Sequence, residues 1–263
     1  MKKVRKVLKP VHPNSGIEEA YRAKLDRLVR EMDASYVYFL KAQYRETPPH
    51  MALDATPAKE LQRELSLLGK RWAKRIDEAA PKMADWFARS TANRSQAALK
   101  KILRDGGISV EFTMTKPMRD VLDATMAENV SLIRSIGSEY HSDIEGIVMR
   151  SVTTGRDLAQ MVTALEARYP ITRRRAELIS LDQNNKATSA FVRVRQQQLG
   201  LKAKWLHSHG GKEPRPTHLA NSGKIYDPAK GWFDPDPKVR RRIWPGELIR
   251  CRCVSVSIVE GFS

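Results

Sequence analysis

The sequence predicts an α+β protein with a mainly α-helical body of long helices and a small β-containing cassette at its C-terminal end. Over roughly the first 200 residues, apolar side chains recur every three or four positions, the spacing of helices that bury one face. After Gly200, prolines and glycines become frequent, and short alternating apolar runs lie between them. We therefore expect a basic N-terminal arm, a helical body and the cassette, over residues 1–13, 14–200 and 201–263.

Capping residues, prolines and glycines predict the helix boundaries within the body. The first helix opens at Asn14-Ser15, where Ser15 is placed to cap it and Glu18 follows at the capping-box spacing. Signals that end or kink a helix recur along the body, at Pro48, Pro81, Gly106, Gly137, Pro170 and Gly200. The run from Ile108 to Met114 alternates weakly and predicts a short strand or an extended linker.

The cassette concentrates the rare residue types of the chain. The stretch from Trp205 to Val254 holds three of the six histidines, three of the five tryptophans and both cysteines. Strands are expected over residues 203–207, 224–226 and 253–259, and the last run alternates so that one face is buried. This clustering indicates that the stretch folds and is not a solvated tail.

Two cysteines and two histidines of the cassette form a candidate zinc set. Cys251 and Cys253 are two residues apart, so in an extended chain both thiols point to one face. With His207 and His218 they would supply Cys2His2 ligands, the chemistry of structural zinc sites. The alternative is a pair of buried thiols with histidines hydrogen-bonded to the backbone; a disulfide between the two cysteines would close a strained ring.

The same histidines also permit a catalytic interpretation. An RNase-like site would use His207, His209 and His218 as general acid and base, and Arg215 would hold the charge of the transition state. The spacing does not identify a nucleophile. Three carboxylates are either ligands of a divalent cation or, because each adjoins a proline, turn residues: Asp227, Asp234 and Asp236.

The composition favours polyanionic partners. The net charge of +17 suits DNA, RNA or an acidic protein face. Basic residues of the arm and of a run flanked by Trp232 and Trp244 are the candidate nucleic-acid contacts: Lys2, Lys3, Arg5, Lys6, Arg240, Arg241 and Arg242. The run is alternatively a solvated loop whose tryptophans pack inward, and the arm is alternatively a mobile terminus.

Several protein classes do not fit the sequence. It has no run of 18 apolar residues, so we expect no membrane-spanning helix, and its basic N-terminus lacks the apolar region of a secretory signal. Two cysteines argue against a disulfide-built secreted fold. Phosphate-loop, G-x-S-x-G and H-E-x-x-H motifs are missing from the sequence, and no feature of it requires an enzyme.

The order of motifs in the cassette resembles that of the phage Mu F-like minor head proteins, the phage head-morphogenesis family. Upstream, the helix around Arg175-Ala176-Glu177-Leu178-Ile179 is similar to the family's helix before the cassette. The matching cassette positions are Trp205, Arg215-Pro216-Thr217-His218, Gly223-Lys224-Ile225-Tyr226, Pro245-Gly246-Glu247 and Cys251-Arg252-Cys253.

The resemblance implies a minor component of a tailed-phage head, present in few copies in the virion interior and in the host cytoplasm during assembly. Its implied partners are the portal protein and the major capsid or scaffold protein, with double-stranded DNA as a further partner and no membrane. A nuclease or toxin-like domain is the rival from the enzyme class. A nucleic-acid-binding module alone is the third hypothesis.

Overall fold

The computed structural model describes residues 5–46, 55–153, 158–208 and 213–261, and within these ranges the fold is α+β, as predicted. Four long helices precede a region of short strands and one short helix. The helices are α1 (Ser15–Glu46), α2 (Ala55–Asp105), α3 (Lys116–Thr153), α4 (Leu158–Gln198) and α5 (Pro216–Asn221). The strands are β1 (Arg5–Val7), β2 (Lys202–Leu206), β3 (Ile225–Tyr226), β4 (Trp232–Asp234), β5 (Arg241–Ile243) and β6 (Val254–Glu260).

Local hydrogen bonds explain where three of the helix ends lie. Asn14, one residue before the predicted cap, accepts the Ile17 amide on its Oδ1 at 3.0 Å, so Asn14 and not Ser15 caps α1. The C-terminal ends of α2 and α4 resemble each other. The amide of Ile108 reaches back to the Leu103 carbonyl, and the amide of Leu201 to the Gln196 carbonyl, which is the six-to-one bond of a glycine-terminated helix.

The helix ends predicted at Gly137 and Pro170 are wrong, and Pro81 does not break its helix, because each residue lies inside a continuous helix. Both prolines are exposed, where water can bond the carbonyl that loses its partner. Gly137 has a packing role instead, since a Cβ at this position would collide with the Ile76 side chain. Tertiary packing therefore overrides the local break signal, and α3 runs on through residues 138–153.

The described chain separates into two compact units that each contain parts of several helices. One unit comprises residues 19–84 and 127–180. Its interior is apolar but carries three hydrogen bonds from buried tyrosines to polar partners on α3 or α1. Tyr21 bonds Asn129 at 2.8 Å, Tyr36 bonds His141 Nδ1 at 2.8 Å, and Tyr140 donates to Asp33 at 2.7 Å. We call this the helical unit.

The other unit comprises residues 1–18, 85–126 and 181–263, and we call it the cassette unit. Its larger sheet is antiparallel in the order β1-β6-β2-β3, so β6 is central and the N-terminal strand β1 forms one edge. The smaller sheet is the β4–β5 hairpin. The run 108–114 forms no strand. It is an extended linker held by Arg195, whose guanidinium donates to the Thr113 carbonyl at 2.8 Å and lies over the Phe112 ring.

Strand β6 is buried on both faces, whereas its alternation predicted one buried face. Ser255 and Ser257 are buried because Gln196 of α4 takes up their hydroxyls: its amide nitrogen donates to Ser257 Oγ at 2.9 Å, and Ser255 Oγ donates to its oxygen at 3.0 Å. Tyr226 also bonds Ser255 at 2.9 Å. Serine at these positions thus reflects a satisfied polar contact and not a solvent-facing side. None of the helices in the described ranges is apolar and long enough to span a membrane.

Candidate functional site

Three of the four predicted zinc ligands meet in the interior of the cassette unit. His218 Nδ1 lies 3.4 Å from the Cys251 sulfur and 3.7 Å from the Cys253 sulfur. One ligand atom from each side chain lies within 4.8 Å of the other two. All three residues are buried, and both cysteines are free thiols. The two-residue spacing of the cysteines therefore directs both thiols to one point, as the extended-chain argument predicted.

A short helix and one long-range hydrogen bond bring His218 to the cysteines. Helix α5 starts with Pro216 at a position where proline is tolerated, and it presents His218 in its first turn. The preceding Arg215 donates from its guanidinium to the Ile249 carbonyl at 2.9 Å. Ile249 itself lies in a turn that is closed by the Cys251 amide, which donates to the Leu248 carbonyl at 2.9 Å. These contacts hold α5 against the segment that leads into β6.

The two thiols differ in acidity because they share a hydrogen bond. The Cys253 thiol donates to the Cys251 sulfur, which lowers the pKa of Cys251 to about 4, and His218 adds to this effect. The same hydrogen bond, together with burial, raises the pKa of Cys253, although the Ser208 backbone amide bonds the Cys253 sulfur and acts in the opposite direction. The pair thus favours one thiolate next to an imidazole.

A buried carboxylate stands on the other side of His218. Asp234 Oδ2 lies 3.6 Å from His218 Nε2, and the Asp234 side chain is fully buried. The carboxylate also accepts the Thr217 hydroxyl at 3.2 Å and the Asp236 amide at 3.0 Å. The Trp205 ring meets the imidazole edge-on, with 5.1 Å between ring centroids. The imidazole is therefore held between two thiols and a carboxylate. Asp234 lies 16 residues from His218 in sequence, a separation that carries no motif.

The other sequence-predicted histidines do not join this group among the described residues. His207 follows β2 and is buried, and its backbone amide donates to Ser222 Oγ at 3.3 Å, but its ring is not within the group of three. His209 lies outside the described residues. The aspartates form turns: Asp227, Asp234 and Asp236 each accept the amide two residues ahead, at 2.9–3.0 Å.

Most of the family-motif positions surround this cluster. Gly223 adopts φ +85°, and its amide bonds the Trp205 carbonyl at 2.8 Å, while the Trp205 amide bonds the Lys224 carbonyl at 2.9 Å. Trp205 is fully buried in a core shared with Cys251 and Cys253. Arg252 is exposed between the two cysteines, on the opposite side of the extended chain.

Most of the described candidates for nucleic-acid contact already form ion pairs or hydrogen bonds within the protein. Arg5 pairs with Glu260 at 3.2 Å, and the Lys6 ammonium donates to the Gly106 carbonyl at 2.7 Å, so both attach β1 to its surroundings. Arg241 pairs with Glu247. Arg240 and Arg242 are exposed on the β4–β5 hairpin, and Arg242 donates to the Gly231 carbonyl at 3.3 Å. Lys2 and Lys3 lie outside the described residues.

The nuclease alternative requires imidazoles that reach a phosphate. His207 and His218 are only 7% and 2% exposed, so little of either side chain is open to solvent. The tryptophans beside the basic run pack inward: Trp244 donates to the Pro228 carbonyl at 2.8 Å and lies under Arg193, and Trp232 borders the cassette core. The burial of both imidazoles argues against contact with a polymeric substrate.

Comparison with known proteins identifies a family match that includes the cluster and the motif positions around it. Residues 142–256, from the C-terminal part of α3 into β6, match the family model described as Phage Mu protein F like protein. An uncharacterized protein of Haemophilus influenzae strain Rd is 24% identical over 259 residues, which covers 96% of this chain and 55% of that relative. The chain thus spans about half the length of this relative. No solved structure matches. The resemblance carried by the cassette motifs is confirmed: residues 142–256 of this chain form a phage Mu F-like region.

Proposed function

We propose that this protein is a minor head protein that acts in the assembly of a tailed-phage head, inside the head and in contact with the portal protein and the major capsid or scaffold protein. The observation that carries the proposal is the family match over residues 142–256, because the phage Mu F-like family suggests head morphogenesis. Several of the motif residues, among them Trp205, His218, Cys251 and Cys253, are buried in the cassette unit, which supports a folded module as the carrier of the family signature.

The charge of the protein supports an interior location. A net charge of +17 favours a compartment filled with DNA, since each phosphate contact releases condensed counterions. The β4–β5 hairpin is the surface we assign to packaged DNA. Arg240 and Arg242 are exposed there, and Phe233, the cross-strand partner of Arg242, is 51% exposed. Phosphate contact by such a surface positions DNA without reading its sequence.

Assembly in the absence of the protein tests the proposal. A nonsense codon early in α1, introduced into the phage that encodes the chain, removes the protein, and expression of the intact chain in trans is the control. We expect particles with aberrant heads or reduced DNA content and a loss of infectivity that complementation restores. Heads of normal morphology, DNA content and infectivity without the protein would rule out the proposed role.

Salt dependence separates a portal-binding protein from a nucleic-acid-binding module. The purified chain is tested against immobilised portal protein and against duplex DNA over a range of salt concentrations. We expect portal binding to persist at moderate salt and DNA binding to fall steeply. The variant Arg240→Gln/Arg242→Gln is the matched control, since it should weaken DNA binding and leave portal binding unchanged. Binding to DNA alone would favour the module.

A further inference from the structure

We propose that His218, Cys251 and Cys253 bind a zinc ion, with His218 Nδ1 as the ligand nitrogen and Asp234 as the carboxylate that orients the imidazole. This inference is independent of the proposed role in the phage head. It depends on the positions of four buried side chains in the cassette unit.

The distances within the cluster are those of a tetrahedral zinc site. Zinc binds thiolate sulfur at about 2.3 Å and imidazole nitrogen at about 2.0–2.1 Å, so at the tetrahedral angle the two ligand atoms are separated by about 3.5 Å. The observed separations from His218 Nδ1 are 3.4 Å to Cys251 and 3.7 Å to Cys253. Both nitrogen–sulfur separations therefore match those of ligand pairs around one tetrahedral zinc ion.

The hydrogen bonding of His218 also fits a ligand. Its Nε2 is buried without a hydrogen-bond partner, yet Asp234 Oδ2 lies only 3.6 Å away. Zinc at Nδ1 fixes the tautomer with a proton on Nε2, which then points toward the Asp234 carboxylate. Carboxylate–histidine–zinc arrangements of this kind orient the ring and raise the basicity of the ligand. The carboxylate is itself held by Thr217 and the Asp236 amide.

The location of the cluster gives zinc a structural role. The three ligands come from α5 and from the segment before β6, and Asp234 ends β4. These parts of the cassette have short elements and long connections, so cross-linking them contributes directly to folding. Structural zinc sites are closed by four ligands, so the structural role implies that a further side chain fills the fourth tetrahedral position.

A cysteine beside a histidine with a carboxylate behind it is also the arrangement of an activated nucleophile. Two observations favour the metal. A nucleophile must reach its substrate, whereas Cys251 and Cys253 are 3% and 5% exposed. A triad also uses one thiol, whereas two thiols here approach the same imidazole nitrogen.

Metal analysis of the full-length chain tests the proposal. The protein is purified from zinc-supplemented cells, and its metal content is measured before and after exchange of Co²⁺ for the native metal. We expect one zinc per chain, and in the cobalt form thiolate charge-transfer bands together with the visible bands of tetrahedral Co²⁺. His12→Ala, which changes an exposed histidine, should retain the metal, and Cys253→Ser should lose it.

Two further variants keep the test decisive if Cys253→Ser does not fold. Asp234→Asn should lower the zinc affinity by about 10–100-fold without changing the cobalt bands, because it alters only the partner of the ligand. His218→Cys should retain metal binding with an added thiolate signal, because the substitution replaces the nitrogen ligand with a sulfur ligand. The proposal is overturned if the folded wild-type chain binds neither ion after reconstitution, if bound Co²⁺ shows no thiolate bands, or if rapid alkylation of Cys251 shows an accessible nucleophile.

Discussion

Alanine in place of Gly246 should loosen the cassette unit by a predictable amount. Gly246 has φ +83°, in the left-handed region, and lies in the turn between β5 and the cysteines. A Cβ at this position would lie 3.1 Å from Ser189 Cβ, 3.2 Å from the Asn185 carbonyl and 3.3 Å from the Cys253 carbonyl. Two of these neighbours are backbone atoms of packed elements and have little freedom to move away.

Gly223→Ala provides the matched control for this substitution. Gly223 has nearly the same φ, +85°, but a Cβ there would have no neighbour within 4 Å. Both variants incur left-handed backbone strain of about 1–2 kcal/mol, partly offset by the reduced entropy of the unfolded chain. Only Gly246→Ala adds an overpacking term, about 1–3 kcal/mol. The difference between the variants isolates the packing of this turn against α4 and the Cys253 carbonyl.

Hydrogen exchange of the β6 amides measures that difference where it acts. A loss of about 1–3 kcal/mol of local stability corresponds to exchange that is about 5- to 150-fold faster in Gly246→Ala than in Gly223→Ala. The helical unit should exchange at the same rate in both variants. Equal protection of β6 in the two proteins would show that the turn is not packed as described, and would refute the reasoning.

Three further predictions concern other parts of the chain. Gly69→Ala drives a Cβ into the ring of His141 and should destabilise the helical unit by about 1–3 kcal/mol in urea unfolding; an unchanged midpoint would contradict this packing. Pro170→Ala restores an amide in an exposed part of α4 and should stabilise the protein by about 2 kcal/mol, whereas a loss of stability would mean that proline shapes the helix. Arg240→Gln/Arg242→Gln should reduce the slope of log affinity for duplex DNA against log salt by about 2, and an unaltered slope would remove the hairpin from the DNA contact.

The helices were predictable wherever an apolar stripe and a terminal glycine acted together. The signals at Gly106 and Gly200 mark real helix ends. Gly107 after the first helix end and Gly200 at the second adopt a left-handed conformation, which ends the helix. Pro81 and Pro170 do not end helices, because both are exposed and water can donate a hydrogen bond to the carbonyl that loses its partner. The sequence around a proline does not show whether its position in the folded helix is exposed.

The sequence likewise predicted some of the strands and site residues but not others. Strands β2, β3 and β6 follow alternation or a turn signal, whereas β1, β4 and β5 are three residues each and too short to show a period. The cysteine spacing predicted a shared face, and His218 joined it through a cassette motif. Asp234 could not be predicted as the partner of His218, because only the folded hairpin brings it near. Hydrophobic periodicity could not predict that polar residues of α4, such as Gln196, are buried.

The position of the protein in purified particles tests the central claim most directly. Intact heads and heads opened by osmotic shock are treated with protease, and peptides of this chain are quantified by mass spectrometry relative to the portal protein. A minor head protein should be present in few copies, protected in intact heads and cleaved once the heads are open. Its absence from infectious particles, or cleavage while the shell is closed, would contradict an interior role in the head.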